Sequence, residues 1–553
     1  MLSNRKSSHR KRKKEIWKQL RLLVFAIGLI LLFIIIDSVM VSTIPYFKFP
    51  SKELQDNKRR LIQEEIRNIM YGRLLSLASS SLTKNNTAAG QFSFLEESAG
   101  QTLEWTPCAD KPNNADQGRG KKHNGYILVS ANGGLNQQRV AVCNAVAIAS
   151  LLNATLVLPK FLYSSVWKDT SQFGDIYQEE YFLDYLKDDV DIVKELPPHL
   201  QAIDVEAIGS QITDMEIMKE AMPSYYIESI LPILQRNGIV HFLGFGNRLG
   251  FDPLPPHLQR LRCKCNFHAL KFVPKIQKLG SMLVQRIRNH KSKLTEIDKQ
   301  LFGKYMPNYE LVIRNRNLKR PVKYLALHMR FEVDMVAYSL CDFGGGQGER
   351  LELQMYREEH FPTLITRIQN ISISPEELRI SGKCPLTPEE AALMLSALGY
   401  TSETYIYLAG SHIYGGLSRL QPFMQLFPNV VTKEDLLSPE ELEPFKNFSS
   451  QLAALDFIAC ASSDVFAMTD TGSQLSSLVT GYRIYHGRGQ ATTLRPNKKR
   501  FARILMEHAD IDWGEFQKRV QNMIEENQGV TPRGRGRSVY RLPRTPGCMC
   551  KTR

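Results

Sequence analysis

The chain has 553 residues, a hydrophobic fraction of 43% and a charged fraction of 23%, values typical of a globular protein with a sizeable core. The net charge of +15 lies in the two ends, because residues 1–21 hold nine Lys or Arg with one acid and residues 530–553 hold seven with none. The body between them is close to neutral, which argues against a basic groove for nucleic acid.

An uncharged run, LLVFAIGLILLFIII, covers residues 22–36 and continues to residue 41 with two interruptions. A stretch of about twenty such residues can span a bilayer. The basic cluster before it predicts a cytoplasmic N-terminus. We therefore expect a cytoplasmic basic tail at residues 1–21, an uncleaved signal-anchor at 22–41 and a body outside the cytosol. A cleaved signal peptide is the alternative, although no small-x-small cleavage site follows the run.

Residues 42–104 are polar and mostly unpatterned, as expected for a lumenal stem. Glycosylation triplets and cysteines agree with a lumenal body. The triplets begin at Asn85, Asn153, Asn370 and Asn447. Cysteines in loop-like or terminal contexts, expected to pair, are Cys108, Cys263, Cys265, Cys341, Cys384, Cys460, Cys548 and Cys550. Cys143 lies in an apolar helix and is expected to be a buried thiol. The motif CKCNFH lacks a second pair of ligands at the spacing of known zinc sites, which argues against a zinc site there.

The folded body begins near residue 105 with alternating strand and helix patterns. Strands at 126–130 and 155–158 flank a helix at 139–152, a βαβ unit that predicts a parallel sheet. A connecting region contains helical patches at 215–221 and 269–290. A second block alternates from strand 324–327 to a helix that ends on Gly481. We expect an α/β fold with two Rossmann-like lobes facing a cleft, at residues 105–310 and 311–510, followed by a basic tail at 511–553.

The first candidate binding loop, SANGGLNQQR, follows the first strand. Gly133 and Gly134 allow the backbone to approach a ligand, Asn136 supplies an amide, and the next helix presents free N–H groups to a phosphate. A turn that only needs glycine for its backbone conformation is the alternative. A dinucleotide site is disfavoured, because the second strand ends in LPK rather than an acid and the spacing is not G-x-G-x-x-G.

The second candidate loop, HMRFEVDMVAYSLC, follows the strand at 324–327. Charged or polar residues occupy every second position from the end of this strand, namely His328, Arg330, Glu332 and Asp334. An arginine fork binds a pyrophosphate well, and a nearby acid can take base or ribose hydroxyls. A structural ion pair between Arg330 and one of the two acids is the alternative.

The third candidate loop, MTDTGSQLSSLVTG, repeats the strand, polar turn and helix of the first. Residues Asp470 to Ser473 can cap the helix. They can also hold the phosphates or ribose of a nucleotide at the same helix end. The three loops together predict a cleft for a nucleotide sugar.

Six motifs resemble the plant protein O-fucosyltransferase-like family, relatives of the GDP-fucose protein O-fucosyltransferases. They are GGLNQQR, LRCKCNFHALKF, LALHMRFEVDMVAYSLC, GKCPLTPEEAALMLSALGY, YIYLAG and FPNVVTKEDLL. The resemblance implies a two-lobed GT-B-type fold, inverting transfer without a metal, and GDP-fucose as the nominal donor. The family also includes members assigned to rhamnosyl transfer and to mannan synthesis. The acceptor is a protein or a cell-wall polysaccharide.

The resemblance implies roles for residues in each loop. Arg330 is expected to hold the β-phosphate and to stabilise the leaving diphosphate. The chemistry of the transfer also calls for a base to take the hydroxyl proton, and Glu332 and Asp334 are the available candidates. A non-catalytic scaffold that binds a sugar nucleotide is a further alternative. The residues expected to contact the donor are Gly133, Gly134, Asn136, His328, Met329, Arg330, Asp334, Thr471, Gly472 and Ser473. The last three match the family in position, but their residue types depart from its better-known sequences.

Overall fold

A computed structural model describes residues 70–84, 105–111, 123–163, 169–288, 294–306, 323–368, 374–410, 412–487, 491–527 and 532–551. All of them belong to the unit Met70–Arg553. The expected anchor at 22–41 and the tail before it lie outside these residues. Within the described ranges, no helix has the length and apolar character needed to cross a bilayer.

The strands are short and mostly apolar. In chain order they are β1 Trp105–Pro107, β2 Tyr126–Ala131, β3 Thr155–Val157, β4 Lys160–Phe161, β5 Ile192–Val193, β6 Gln211–Thr213, β7 Ile239–Phe245, β8 Leu325–His328, β9 Ile406–Ala409, β10 Val430–Val431, β11 Val465–Met468, β12 Thr492–Leu494 and β13 Met549–Lys551. β3, β8, β9 and β11 are buried along their whole length. Burial on both faces explains their continuous apolar runs, which are typical of parallel sheets.

Two parallel sheets organise the body. The N-terminal sheet has the order β5-β3-β2-β7-β6, with β4 also pairing with β2, and the C-terminal sheet has the order β10-β9-β8-β11-β12. Every pair inside these two sheets is parallel. The loops that follow the strands therefore gather at one edge of each sheet, where ligands bind in open α/β folds. The expected α/β architecture with parallel sheets is confirmed.

Helices cover both sheets. Those up to the end of the N-terminal sheet region are α1 Gly72–Lys84, α2 Leu135–Leu151, α3 Phe173–Ile176, α4 Glu179–Leu186, α5 Pro198–Gln201, α6 Pro223–Tyr225, α7 Leu231–Asn237, α8 Pro256–Lys264, α9 Pro274–Ile287 and α10 Glu296–Phe302. Single π-helical turns, Tyr226–Ile230 and Cys265–Ala269, adjoin α6, α7 and α8. α2 is buried over most of its surface, in keeping with its alanine-rich sequence.

The remaining helices surround the C-terminal sheet. They are α11 Val333–Ser339, α12 Gly346–His360, α13 Pro362–Ile368, α14 Pro375–Ile380, α15 Pro388–Ala397, α16 Gly416–Leu426, α17 Lys433–Leu436, α18 Pro439–Leu442, α19 Ser449–Ser462, α20 Gln474–His486, α21 Lys498–Met506 and α22 Trp513–Glu525. Thr387 caps α15 by accepting a hydrogen bond from the Glu390 amide, as its sequence predicts.

The two sheets share one core. α9 packs against α19, and a Cβ on Gly280 of α9 would lie 2.6 Å from Ile458 of α19, so glycine is needed for this close approach. Buried side chains from both sheets, such as Ile127 and Phe466, belong to the same hydrophobic cluster.

The body begins earlier in the chain than the sequence predicts. Part of the expected stem forms α1, whose Leu74 and Ala78 are fully buried and whose neighbour Tyr71 donates a hydrogen bond to Glu390 at 2.9 Å. α1 packs against α15, α16 and α22. The helical patch expected at 215–221 is wrong, since these residues form turns. Met215 and Met218 are exposed there, and the segment buries only the side chains of Ile217 and Ala221, a narrower apolar face than a helix packed on a core presents.

The C-terminal region is also folded rather than a basic tail. α22 buries Phe516, Val520, Met523 and Ile524, a helical spacing. The last residues return to the N-terminal sheet region, where β13 pairs antiparallel with β1. α20 continues past Gly481, the expected end of that helix. The glycine instead allows the close approach of the Tyr540 backbone.

Three disulfides join six of the eight cysteines that were expected to pair: Cys108–Cys550, Cys263–Cys548 and Cys341–Cys384. The expectation is wrong for Cys265 and Cys460, which are buried free thiols inside helical segments. Cys143 is the buried thiol that its apolar surroundings predict. A free thiol packs there as a small hydrophobic side chain.

Candidate active site

The first loop connects β2 to α2. Gly133 has φ of +82°, a conformation that strongly favours glycine. Gln137 Oε1 accepts a hydrogen bond from the Gly134 amide at 2.8 Å, and Gln138 Nε2 donates to the Gly133 carbonyl at 2.9 Å. Both glutamines therefore shape the loop and begin the helix. The side-chain Oδ1 of Asn136 is buried with no hydrogen-bonding partner among the described residues.

Arg139 stabilises the fold and is not placed to bind a ligand. Its side chain is buried, and Nε donates to Asn266 Oδ1 at 2.9 Å. The guanidinium also lies over the rings of Tyr177, Phe272 and Phe457 at 5.5–5.9 Å. The sequence alone does not decide whether Arg139 contacts a ligand or supports the helix, and the structure gives it the second role.

A cavity of about 220 Å³ lies between the first loop and the start of α20. Its lining residues are Asn132, Gln137, Val140, Asp214, Lys219, Gly246, Asn247, Arg248 and Gln474. Gln137 is in the first turn of α2, and Gln474 is the first residue of α20. The N-terminal ends of two helices, one from each sheet region, therefore meet at this cavity. Helix N-termini attract anions through their free N–H groups and their dipoles.

Sequence reasoning missed the part of this cavity that follows β6 and β7. Asp214 comes directly after β6, and Arg248 follows β7 in the sequence GFGNR. The two side chains form an ion pair at 2.9 Å. Two glycines at the end of an apolar strand were a usable signal, since Gly244 is in the last part of β7 and Gly246 directly follows it. Asn247 Oδ1, also at the cavity, is buried without a hydrogen-bonding partner in the described residues.

The second loop leaves β8 as a buried segment. His328 and Met329 are 3% and 0% exposed. His328 Nδ1 is 2.9 Å from Ser476 Oγ of α20. Burial, together with the positive charge of Arg330, lowers the pKa of His328 to about 3. His328 is therefore neutral and connects the end of β8 to the first turns of α20.

Arg330 is held by two carboxylates. Nη1 lies 2.8 Å from Glu332 and Nη2 lies 3.0 Å from Asp334. Burial opposes the charge of Arg330, but the two acids outweigh it and the net change in pKa is upward. Burial raises the pKa of Glu332 despite the attraction of Arg330. The structural ion pair that was the alternative for these residues is thus present, and it fixes the direction of the guanidinium.

The third loop leaves the start of α20 open. Ser473 occupies the N-cap position but makes no side-chain cap hydrogen bond. The turn is stabilised instead by Asp470, which accepts a hydrogen bond from the Gly472 amide at 2.7 Å and pairs with Lys498 at 3.3 Å. The alternative was that the turn Asp470 to Ser473 caps the helix, and Ser473, the residue at the N-cap position, does not cap it through its side chain.

The structure brings the second and third loops together. β8 and β11 are neighbours with His328 opposite Met468, and the Arg330 amide donates to Thr469 Oγ1 at 2.9 Å. The first loop meets the third across the cavity. Arg330 is not among the lining residues of that cavity. In the described part of the chain, no group of three or more His, Cys, Asp or Glu is arranged to hold a metal ion.

Comparison with known proteins gives consistent matches. Residues 126–486 match the family model for GDP-fucose protein O-fucosyltransferase. O-fucosyltransferase 8 of Arabidopsis thaliana is 61% identical over 486 residues, covering 87% of this chain and 79% of the relative. O-fucosyltransferase 15 of the same plant is 56% identical over 486 residues, covering 87% and 73%. A crystal structure of POFUT1 in complex with GDP aligns at 13% identity and a TM-score of 0.34, covering 68% of this chain and 98% of that one.

Proposed function

Because the chain belongs to the GDP-fucose protein O-fucosyltransferase family and is a glycosyltransferase, we propose that it transfers fucose from GDP-fucose to a hydroxyl of a protein or cell-wall glycan, with inversion. The observation that carries the proposal is the meeting of the N-termini of α2 and α20 at one cavity. A departing nucleoside diphosphate gains negative charge, and N–H groups aimed at it stabilise that charge.

Arg330 is the cation to which the family resemblance assigns the diphosphate, although it does not line the cavity. Its side chain is 15% exposed, and its two terminal nitrogens pair with Glu332 and Asp334. A guanidinium fixed in advance loses less conformational freedom when it binds a phosphate. We expect the diphosphate to contact the guanidinium of Arg330.

The transfer is a single displacement. The acceptor hydroxyl oxygen bonds to the anomeric carbon from the face opposite the diphosphate, while the bond from that carbon to the diphosphate breaks and GDP leaves. The hydroxyl proton passes to a base. Glu332 fits this role because burial raises its pKa, and a carboxylate of higher pKa is a stronger base. Asp334 is the second candidate.

We also propose that the body works in the Golgi lumen, anchored as a single-pass type II protein through residues 22–41. The three disulfides support an oxidising compartment. Asn153 and Asn447 of the glycosylation triplets are exposed, whereas Asn85 and Asn370 lie outside the described residues. Digestion with an N-glycosidase should increase the mobility of the protein on a gel, and intact vesicles should protect the body from added protease.

Arg330→Ala tests the assignment of the site. We expect kcat/KM for GDP-fucose to fall by a factor of at least about 10³, with the fold retained by circular dichroism. Arg330→Lys should recover only part of this loss, because lysine keeps the charge without the planar fork. The matched control is Arg350→Ala, which removes an arginine that pairs with Asp342 at 3.1 Å on the surface. Near-normal transfer by folded Arg330→Ala would contradict the assignment.

The donor itself is tested by thermal shift of the purified full-length protein with GDP, UDP and their sugars, followed by assays of nucleotide release. Stabilisation by GDP-fucose together with GDP release in the presence of an acceptor is the expected result. Stabilisation by another nucleotide sugar would instead assign a different donor. Stabilisation without release from any donor and acceptor pair would favour a non-catalytic scaffold.

A further inference from the structure

The end of the chain lies against the third loop. Arg541 Nη1 donates a hydrogen bond to the Thr471 carbonyl at 3.2 Å. The same segment packs on α20, where a Cβ on Gly481 would lie 3.3 Å from the Cα of Arg541. Thr471 and Arg541, which are 70 positions apart in the sequence, thus meet just before the start of α20.

Two further arginines accompany Arg541. Arg495 follows β12, and Arg544 is only 8% exposed. The buried Nε atoms of Arg495 and Arg544 have no hydrogen-bonding partner among the described residues. We call Arg495, Arg541 and Arg544 the C-terminal arginine cluster. Burial and the positive charges of its two companions lower the pKa of Arg495 to about 10.

The cluster has no ion-paired carboxylate among the described residues, although Asp470 lies close enough to Arg541 for its charge to act on it. In the described ranges, none of its members forms an ion pair with a carboxylate. Arg495 donates to the Asn527 carbonyl and Arg541 to the Thr471 carbonyl, both of which are neutral. The nearest acid, Asp470, is already engaged by Lys498 and by the Gly472 amide. Buried like charges without a counterion are unfavourable, so the site has the character of an anion-binding site.

We propose that the C-terminal arginine cluster binds the diphosphate of the sugar-nucleotide donor at the N-terminus of α20. This inference rests on the proposed function and adds residues that lie outside the three strand-end loops. The guanidinium of Arg541, held at the third loop by Thr471, and the open first turn of α20, where Ser473 does not cap, supply donors to this anion. Arg495 follows β12, the neighbour of β11, and Arg544 lies three residues after Arg541, so both add positive charge close by. The disulfides of Cys548 and Cys550 tie the segment down a few residues beyond Arg544.

Isothermal titration calorimetry of the full-length protein with GDP and with inorganic pyrophosphate tests the inference. Arg541→Gln and Arg544→Gln should each weaken both ligands by about tenfold, as expected for loss of one charge-assisted contact. Without ligand, their melting temperatures should be unchanged or higher, because repulsion within the cluster is relieved. The control, Arg535→Gln, removes an exposed arginine of the same segment and should bind both ligands as the wild type does.

The outcomes separate the two proposals. Binding of both ligands by Arg541→Gln and Arg544→Gln with wild-type affinity overturns the inference, even if their melting temperatures fall. If the wild-type protein binds pyrophosphate but not GDP, and both variants lose the binding of pyrophosphate, the result supports the cluster and contradicts the proposed donor. Wild-type protein that binds neither ligand overturns both proposals. If Arg544→Gln fails to fold, Arg541→Gln, at a partly exposed side chain, decides the question.

Discussion

Gly481→Ala probes the contact between the end of the chain and α20. Gly481 lies in the interior of α20, where alanine is ordinarily more stable than glycine by about 1 kcal/mol. Here a Cβ would lie 2.6 Å from the carbonyl carbon of Tyr540 and closer still to its oxygen. Real Cβ atoms do not approach backbone atoms so closely, so the segment or the helix must move.

The magnitude follows from what the movement disrupts. Forcing an extra methyl group into a packed site costs about 1–3 kcal/mol. Displacing the segment also strains the hydrogen bond from the Tyr540 hydroxyl to Asn144 Oδ1, a buried contact of 2.9 Å, whose loss costs about 1–3 kcal/mol. After subtracting the gain in helix propensity, we expect Gly481→Ala to lower the free energy of unfolding by about 1–5 kcal/mol.

Urea denaturation followed by tryptophan fluorescence measures this change. Gly348→Ala is the control, because Gly348 is also helical, has no atom within 4 Å of an added Cβ and does not have a positive φ. That variant should be more stable than the wild type by about 0.5–1 kcal/mol. A Gly481→Ala protein at least as stable as the wild type would show that the end of the chain is not fixed on α20, and would refute the reasoning.

Stability should fall as the pH falls from about 6.5 towards 4, because burial lowers the pKa of His268 to about 4 and of His328 and His486 to about 3. The unfolded chain then binds protons that the native state does not, which lowers the free energy of unfolding by about 1.4 kcal/mol per pH unit for each histidine. Equal urea midpoints at pH 7.5 and 5.0 would contradict this. Removing the Cys108–Cys550 disulfide by serine substitution at both positions should lower the free energy of unfolding by about 2–5 kcal/mol, measured beside the wild type under oxidising conditions. Glu332→Gln should reduce kcat more than it raises KM if Glu332 is the base; an unchanged kcat would assign the proton to another group.

The sequence predicts the elements whose cause is local. The strand at 126–130 and the helix that follows it are apolar runs of the right length, and Thr387 starts α15 through a capping pattern within four residues. The three strand-end loops also follow from local patterns, because parallel strands end at a common edge. Sequence reasoning therefore identified the first and third loops, which meet at the cavity.

Contacts between distant residues were not predictable. Asp214 and Arg248 meet only because β6 and β7 are neighbours. Arg541 reaches Thr471 because disulfides and β13 hold the end of the chain on the N-terminal sheet region. The last residues of the chain are basic and rich in Pro and Gly, a composition typical of an irregular tail. Composition does not show that Cys548 and Cys550 pair with Cys263 and Cys108.

The pairing of β1 with β13 sets a condition on biosynthesis. Cys108 and Cys550 are separated by 442 positions, so at about 5–20 residues per second the ribosome needs about 20–90 s to supply the second thiol after the first. In the oxidising lumen proposed for the body, Cys108 would spend that time without its partner. A nascent chain shortened by a premature stop in its last codons would display two orphan thiols, Cys108 and Cys263, to quality-control enzymes. A tag fused at Arg553 would begin two residues after β13, where a flexible spacer is needed to keep the strand pair intact.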